Sequence, residues 1–423
     1  MSLNFFSLPS LQISSIFLVI LLDSIGMSLI MPLLGPLILE GNSSLLPVST
    51  SVGLRNFLYG VSLSSFALFM FIGAPIMGDL SDKLGRKPIL LLCMIGAFLG
   101  YGFSGLGAHL KNVSLFLLGR SLTGFTAGSL PIAQASIIDI SNSQNKTANL
   151  GIILFGVSIG YIIGPLFSGF LSDEKLSSYF SVFLPLYAAC FLSLIAAIFI
   201  FFFVKETRKE KLNKVKWWLG FSTLWLAFKD NKIRYLSIIF LLVQFGWALY
   251  FQYVTLFLDK TVFSPDISNE TQGVSIFMAL TGFGMAFSFC YLIRIVNKIF
   301  NASSAILMAL ITIICSLSLI IIFQNPWLMW MNGFISGMGF GIVYPCFMTL
   351  FSEHANQSTQ GLIMGIASTI CAFAAFTSAI FGVSVADLSP YCPIICAALI
   401  LFISFLVWYG AFFNKKTSHN QKA

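Results

Sequence analysis

The chain has 423 residues, of which 57% are hydrophobic, 15% aromatic and only 9% charged, and its mean hydropathy is +0.93. A soluble domain carries about 25% charged residues, so a water-soluble core is excluded. The formal net charge of +8 points to a membrane surface rather than to nucleic acid, because surplus Lys and Arg collect on the cytoplasmic side of membrane proteins.

Apolar runs long enough to cross a hydrocarbon core of ~30 Å recur twelve times, at about 12–35, 57–77, 89–107, 114–138, 149–171, 181–204, 233–257, 272–293, 304–323, 327–350, 360–384 and 391–413. The first run is too long, and lacks the basic start, for a cleaved signal, so it is expected to remain as the first helix. An even number of crossings puts both termini on one side. With that side inside, the inner loops and tail hold 18 basic residues and the outer loops 4 (Arg55, Lys111, Lys175, Lys260). That bias predicts cytoplasmic termini.

In the first span Asp23 lies about ten residues in, or ~15 Å deep at 1.5 Å per residue, near the bilayer middle. A carboxylate there costs on the order of 2.5–3.5 kcal/mol on insertion scales, so it needs a partner or a proton. Between the second and third spans the stretch Gly78-Asp79-Leu80-Ser81-Asp82-Lys83-Leu84-Gly85-Arg86-Lys87-Pro88 must be a water-facing turn. Gly78 and Gly85 are expected to let it turn tightly. Arg86 and Lys87 can offer cations to Asp82, or to Asp139 at the end of the fourth span.

Arg120, on the fourth span, is the basic residue that falls inside a predicted crossing. It enters from the opposite face to Asp23, which leaves ~6 Å of depth between the two backbones. A static ion pair between spans one and four is one reading. The other is a switch in which Asp23 pairs with Arg120 when ionised and releases it when protonated; Arg keeps its proton, so Asp23 would be the carrier.

The fifth span carries Gly156, Gly160 and Gly164 at every fourth position, then Pro165 and Gly169. Such a ridge lets another helix approach closely, and the proline is expected to bend the helix. The longest polar interval, Lys205 to Lys232, divides the chain. Within it Trp218, Phe221, Trp225 and Phe228 recur at helical spacing, as in an amphipathic helix lying in the interface. The expected organisation is a six-helix bundle over 1–204, a cytoplasmic linker over 205–232, a second bundle over 233–413 and a tail over 414–423.

The second half has no clear midplane acid. A cavity is therefore expected to be lined by neutral polar and aromatic side chains, with Gln134, Gln244, Trp247, Tyr250, Gln252, Asn332 and Tyr344 as candidates. The eight cysteines form no C-x-x-C pair and read as small buried hydrophobes. No metal or other cofactor is expected. His109, His354 and His419 lie outside or at the ends of spans, and no phosphate-cradling G-x-x-x-x-G-K-S/T loop is present, so neither an enzyme nor an ATP-driven pump is expected.

The G-x-L-S-D-K-x-G-R-K-P spacing between spans two and three resembles the corresponding loop of the major facilitator superfamily. Leu22-Asp23 to Pro32, Tyr59-Gly60, Ala74-Pro75 to Pro88, Gly119-Arg120 and Gly160 to Gly169 make the first half similar to bacterial tetracycline and multidrug proton antiporters. The resemblance implies an all-α fold of twelve transmembrane helices in two six-helix bundles, with the binding site between them near midplane. It implies that Asp82 meets the start of the eleventh helix, and that the charged loop closes a cytoplasmic gate in the outward-facing state and comes apart in the inward-facing one. It also reads the glycine ridge of span five as an antiporter motif.

The tetracycline exporters carry an acid late in the third helix where this chain has Gly100-Tyr101, which argues against a metal–tetracycline substrate. The expectation is a monomeric, proton-coupled exporter of a small organic molecule in a bacterial inner membrane. Two alternatives remain: a proton-linked importer or exporter of a carboxylate metabolite or siderophore, which the lone buried Arg120 would suit, and a substrate-sensing receptor on a transporter scaffold.

Overall fold

The computed structural model describes residues 11–39, 45–141, 145–208, 219–231, 233–262, 270–354 and 360–420, and all its regular elements are helices. In the first half, α1 (Leu11–Leu29) continues through a 3-10 turn (Met31–Leu33) and a π turn (Gly35–Leu39). Pro32 and Pro36 lack the N–H an α-helix needs there, so the chain tightens and widens instead of running straight. Then come α2 (Val52–Leu84), α3 (Arg86–His109), α4 (Val113–Phe125), α5 (Ser129–Ile140), α6 (Lys146–Leu171) and α7 (Leu184–Phe203).

The linker contributes α8 (Leu219–Lys229); Trp218 of the expected amphipathic pattern lies outside the described residues. The second half holds α9 (Arg234–Thr261), α10 (Glu270–Phe287), a π turn (Ser288–Leu292) leading into α11 (Ile293–Ile299), α12 (Ala302–Ile322), α13 (Pro326–Glu353), α14 (Gln360–Ala386) and α15 (Cys392–Asn420). Asparagine caps three helix starts: Asn112, Asn301 and Asn325 each accept a backbone N–H of the following turn, at 3.0, 2.9 and 3.0 Å.

Among the described residues eleven helical stretches are long and apolar enough to cross a membrane. The twelfth predicted span, 114–138, is not one helix: α4 and α5, of 13 and 12 residues, make that crossing in series. Pro131 explains the break. It has no N–H to give to the carbonyl of Ala127 four residues earlier, and the Thr126 hydroxyl bonds back to Leu122 O at 3.0 Å. The chain therefore turns at 126–128 and restarts at Ser129.

Within the first half α1 packs on α6 and α7, and α3 on α4 and α7; within the second, α10 and α12 pack on α13, and α9 on α14 and α15. Two long helix pairs dominate the seam between the halves, α2 with α14 and α6 with α10, and the turns after α1 add contacts with α9 and α10. One face of the molecule carries the linker: Gln12, at the start of α1, donates to Lys205 O at 3.0 Å, and Tyr235, at the start of α9, to Val407 O at 2.8 Å.

The opposite, far face is sealed across the seam between halves. Tyr59 OH donates to Gln252 O at 2.6 Å and lies 2.8 Å from Thr255 Oγ1. Asn56 donates to Asp387 at 2.7 Å, and Gln272 to Asp173 at 2.7 Å. Each such bond contributes on the order of 1 kcal/mol. Tyr59→Phe should therefore raise the population open on this face by about fivefold, read as longer distances between spin labels at the exposed positions 52 and 388; an unchanged distance distribution would mean that packing alone holds the seal.

Candidate functional site

The polar centre of the first half forms around the break in the fourth crossing. Ser129 opens α5, and its hydroxyl donates to Asp23 Oδ2 at 2.5 Å. The carboxylate thus sits beside the N-terminal turn of a half-helix, where free N–H groups favour negative charge. Tyr101 on α3 and Tyr161 on α6 lie within electrostatic range of Asp23, and Tyr101 also of Arg120.

Asp23 and Arg120 are not paired in this conformation. No ion pair joins them among the described residues; the Arg120 guanidinium instead lies over the Phe66 ring, 4.7 Å from its centroid. The reason is the break itself, which brings a hydroxyl and a helix terminus to the acid before the cation can reach it.

The glycine ridge on α6 has a definite partner. A Cβ on Gly160 would come within 2.4 Å of Ser24 Cβ, and one on Gly164 within 2.8 Å of Ile25 O, while Ser28 donates to Gly160 O at 2.8 Å. Gly156 faces Phe17 of α1, and Gly169 faces Ser275 of α10 across the seam. The ridge therefore sets how closely α1, and Asp23 with it, approaches α6. The helix runs unbroken through Pro165.

On the linker face the charged stretch is built differently from the expectation. α2 runs helically through Gly78 to Leu84, so Gly78 is not in the turn; Gly85 alone makes it, at φ 114°. Arg86 pairs with Asp82 at 2.7 Å and with Asp139 at 3.0 Å, and donates to Ser81 at 2.7 Å. Lys87 does not join these acids: its Nζ donates to Phe201 O at 2.8 Å. Arg208 is a second cation in the cluster, 3.4 Å from Asp82 and 4.0 Å from Asp139. All these groups belong to the first half or the residues just after it, so the cluster does not need to come apart when the halves separate. The residues preceding α14, where Asp82 was expected to dock, lie outside the described residues.

Glu206 closes the turn. Its carboxylate accepts backbone N–H groups of Arg86 at 2.9 Å and Lys87 at 3.2 Å, free donors at the start of α3, and of Thr207 at 2.9 Å and Arg208 at 2.9 Å in its own turn. Partial burial pushes its carboxyl up, but the four N–H groups outweigh it and hold the group below the usual carboxylate range. A depressed native value stabilises the fold above the ordinary carboxylate pKa, and that contribution is lost as pH falls through the native value. Glu206→Gln should cost about 1 kcal/mol at pH 7, with wild type and variant converging in acid when thermal unfolding is followed against pH. A gap that stays constant with pH would assign the loss to something other than the charge.

In the second half several candidate cavity residues are spent on holding helices together. Asn332 and Ser316 bond reciprocally, at 2.5 and 2.8 Å, and Gln252 bonds Ala375 O at 3.1 Å. Tyr250 meets Ser336 at 3.2 Å. Trp247 stacks on Phe340 at 4.2 Å, Tyr344 lies 6.0 Å from Phe340, and the Gln244 amide nitrogen is buried with no partner. Gln134 is half-buried on α5, the helix that begins at Ser129. All eight cysteines are free, and among the described residues no group of three or more potential ligands could hold a metal.

Two helical halves meeting along a sealed seam, with a partly buried acid and a buried guanidinium within the spans, define a multi-pass membrane transporter. The chain belongs to the Major Facilitator Superfamily, whose family model matches residues 16–379. It is 28% identical to the quinolone resistance protein NorA of Staphylococcus aureus over 91% of this chain and 92% of that one. It is 26% identical to the class E tetracycline resistance protein of Escherichia coli, over 83% and 82%. With the class H tetracycline resistance protein of Pasteurella multocida it shares 31% over 56% of this chain and 58% of that protein, less than two thirds of its length. Among solved structures it matches the human organic anion transporter MFSD10 (TETRAN) with a TM-score of 0.70 at 18% identity, covering 95% of this chain and 100% of that one. That last likeness is one of fold.

Proposed function

We propose that this protein is a proton-coupled exporter of a small organic molecule, working by alternating access as a monomer in a bacterial inner membrane. Its linker face would lie in the cytoplasm, as the basic bias of the loops suggests. The conformation with a sealed far face is then the inward-facing one. The observation that carries the reading is Asp23: a carboxylate at mid-depth, held by one hydroxyl beside a helix start, on the helix that the α6 ridge grips. Gaining or losing a proton there changes what α1 can bond to, and so which packing of the halves is favoured. Names of relatives given for tetracycline and quinolone resistance support export and a drug-like substrate.

The cluster of Asp82, Arg86, Asp139 and Arg208, braced by Glu206, is read as the rigid lip of the cytoplasmic gate. Gln134, Gln244, Trp247, Tyr250, Gln252, Asn332 and Tyr344 remain the proposed surroundings of the substrate path, with Gln244 and the Trp247–Tyr344 aromatic group as its more available members.

The test is transport by reconstituted protein, with a tetracycline, a fluoroquinolone and ethidium as probes. Antiport predicts accumulation of at least one probe in vesicles that are acid inside. Accumulation only in vesicles acid outside, or uptake of none of the probes, would overturn the reading.

A further inference from the structure

We infer that Arg120 is the seat for a carboxylate on the transported molecule, so that the natural substrate is an organic anion with an apolar body. This deepens the exporter reading and rests on it.

Three arginines are buried among the described residues: Arg55 at 3%, Arg86 at 6% and Arg120 at 2% exposure. Two are saturated. Arg55 donates to three backbone carbonyls, of Pro47 at 2.7 Å, Ile38 at 3.2 Å and Thr50 at 3.2 Å. Arg86 holds two carboxylates and a hydroxyl. Among the described residues Arg120 makes no side-chain hydrogen bond and no ion pair, and its Nε is sealed from solvent without an acceptor.

A guanidinium has five N–H donors and cannot shed its proton, so burial without an anion is a standing penalty that a ligand can remove. The first half does contain another intramembrane acid, but Asp23 is taken by Ser129. The face of Phe66 beneath the guanidinium offsets part of its charge but supplies no hydrogen-bond acceptor. A carboxylate matches the planar fork of a guanidinium bidentately, and the aromatic neighbours of Arg120, Phe66 and Tyr101, favour an apolar body on the same molecule.

The experiment compares one ring system with three head groups on purified wild-type protein: 1-naphthoate, 1-naphthylmethanol and 1-naphthylmethylammonium, with chloride as the inorganic anion. By titration calorimetry naphthoate should bind at least about tenfold more tightly than the alcohol, as one charge-assisted contact allows. Arg120→Gln should remove that advantage, and Arg120→Lys should keep part of it. Naphthoate binding no better than the alcohol, an advantage that persists in Arg120→Gln, or a site that chloride fills equally well would each overturn the inference. Should Arg120→Gln not fold, the head-group series and Arg120→Lys decide alone. Naphthoate bound at Arg120 but not driven by a proton gradient would sink the exporter reading and leave this one standing; the converse pattern would do the opposite.

Discussion

Asp23→Asn is expected to abolish gradient-driven accumulation in vesicles while substrate-for-substrate exchange continues. Asparagine keeps the shape of the protonated acid and can still accept from Ser129, so the site remains assembled with its switch held in one position. Because the variant also removes a carboxylate whose placement at depth costs roughly 2.5–3.5 kcal/mol, its thermal midpoint should hold or rise. Accumulation that survives in Asp23→Asn with its pH dependence intact would move the coupling elsewhere. A collapse of both accumulation and stability would mean that the carboxylate is a structural bond.

Gly160→Ala should be damaging out of proportion to one methyl group. Its Cβ would lie 2.4 Å from Ser24 Cβ and 2.9 Å from the Ser24 carbonyl carbon, so the backbone of α1 itself has to retreat. Overpacking of this kind costs about 1–3 kcal/mol, and the retreat carries Asp23, one residue before Ser24, away from Ser129. Transport should therefore fall further than the thermal midpoint suggests. Gly151, on the same helix with nothing within 4 Å of a built Cβ, supplies the control: Gly151→Ala should be neutral or slightly stabilising, as expected for Gly to Ala in a helix. Equal losses in the two variants would remove the argument from close packing and leave only a general intolerance of the helix.

Much of the architecture was legible in the residues because the bilayer imposes one requirement on every crossing: length, apolarity and an internally bonded backbone. Those features are local, and they read out as runs. The family resemblance rested on a loop whose charges and glycine are forced by its place between two spans. The fourth crossing was misjudged because hydropathy is blind to a missing N–H. Pro131, just after Thr126-Ala127-Gly128-Ser129, was the available signal, and it marked where the helix stops.

Pairing was harder to read than placement. Asp23 and Arg120 stood out as charges within apolar runs, yet Asp23 found Ser129, because a hydroxyl carried to it by a helix restart has no signature in charge pattern. Glu206 and Arg208 were legible only as edges of a linker. Their role came from the fold, which returns the end of α7 beneath Gly85 and lets one carboxylate gather four N–H groups. Asn332 and Gln252, chosen as cavity groups for their polarity, turned out to bond within the second half, since a neutral amide in a membrane protein satisfies itself on whichever helix lies nearest.

From its residue order alone this protein was bound to be a many-helix membrane chain with a basic loop bias, an acid and a guanidinium at depth and a glycine ridge, since each follows from the transfer energetics of single segments. Tertiary structure decided who answers whom: that the ridge grips α1, that Asp23 rests on Ser129, that Arg86 is saturated and Arg120 is not. The reason is range. Burial of a span is settled residue by residue against lipid, whereas the partner of a charge is settled by which helix packing brings within 3 Å of it.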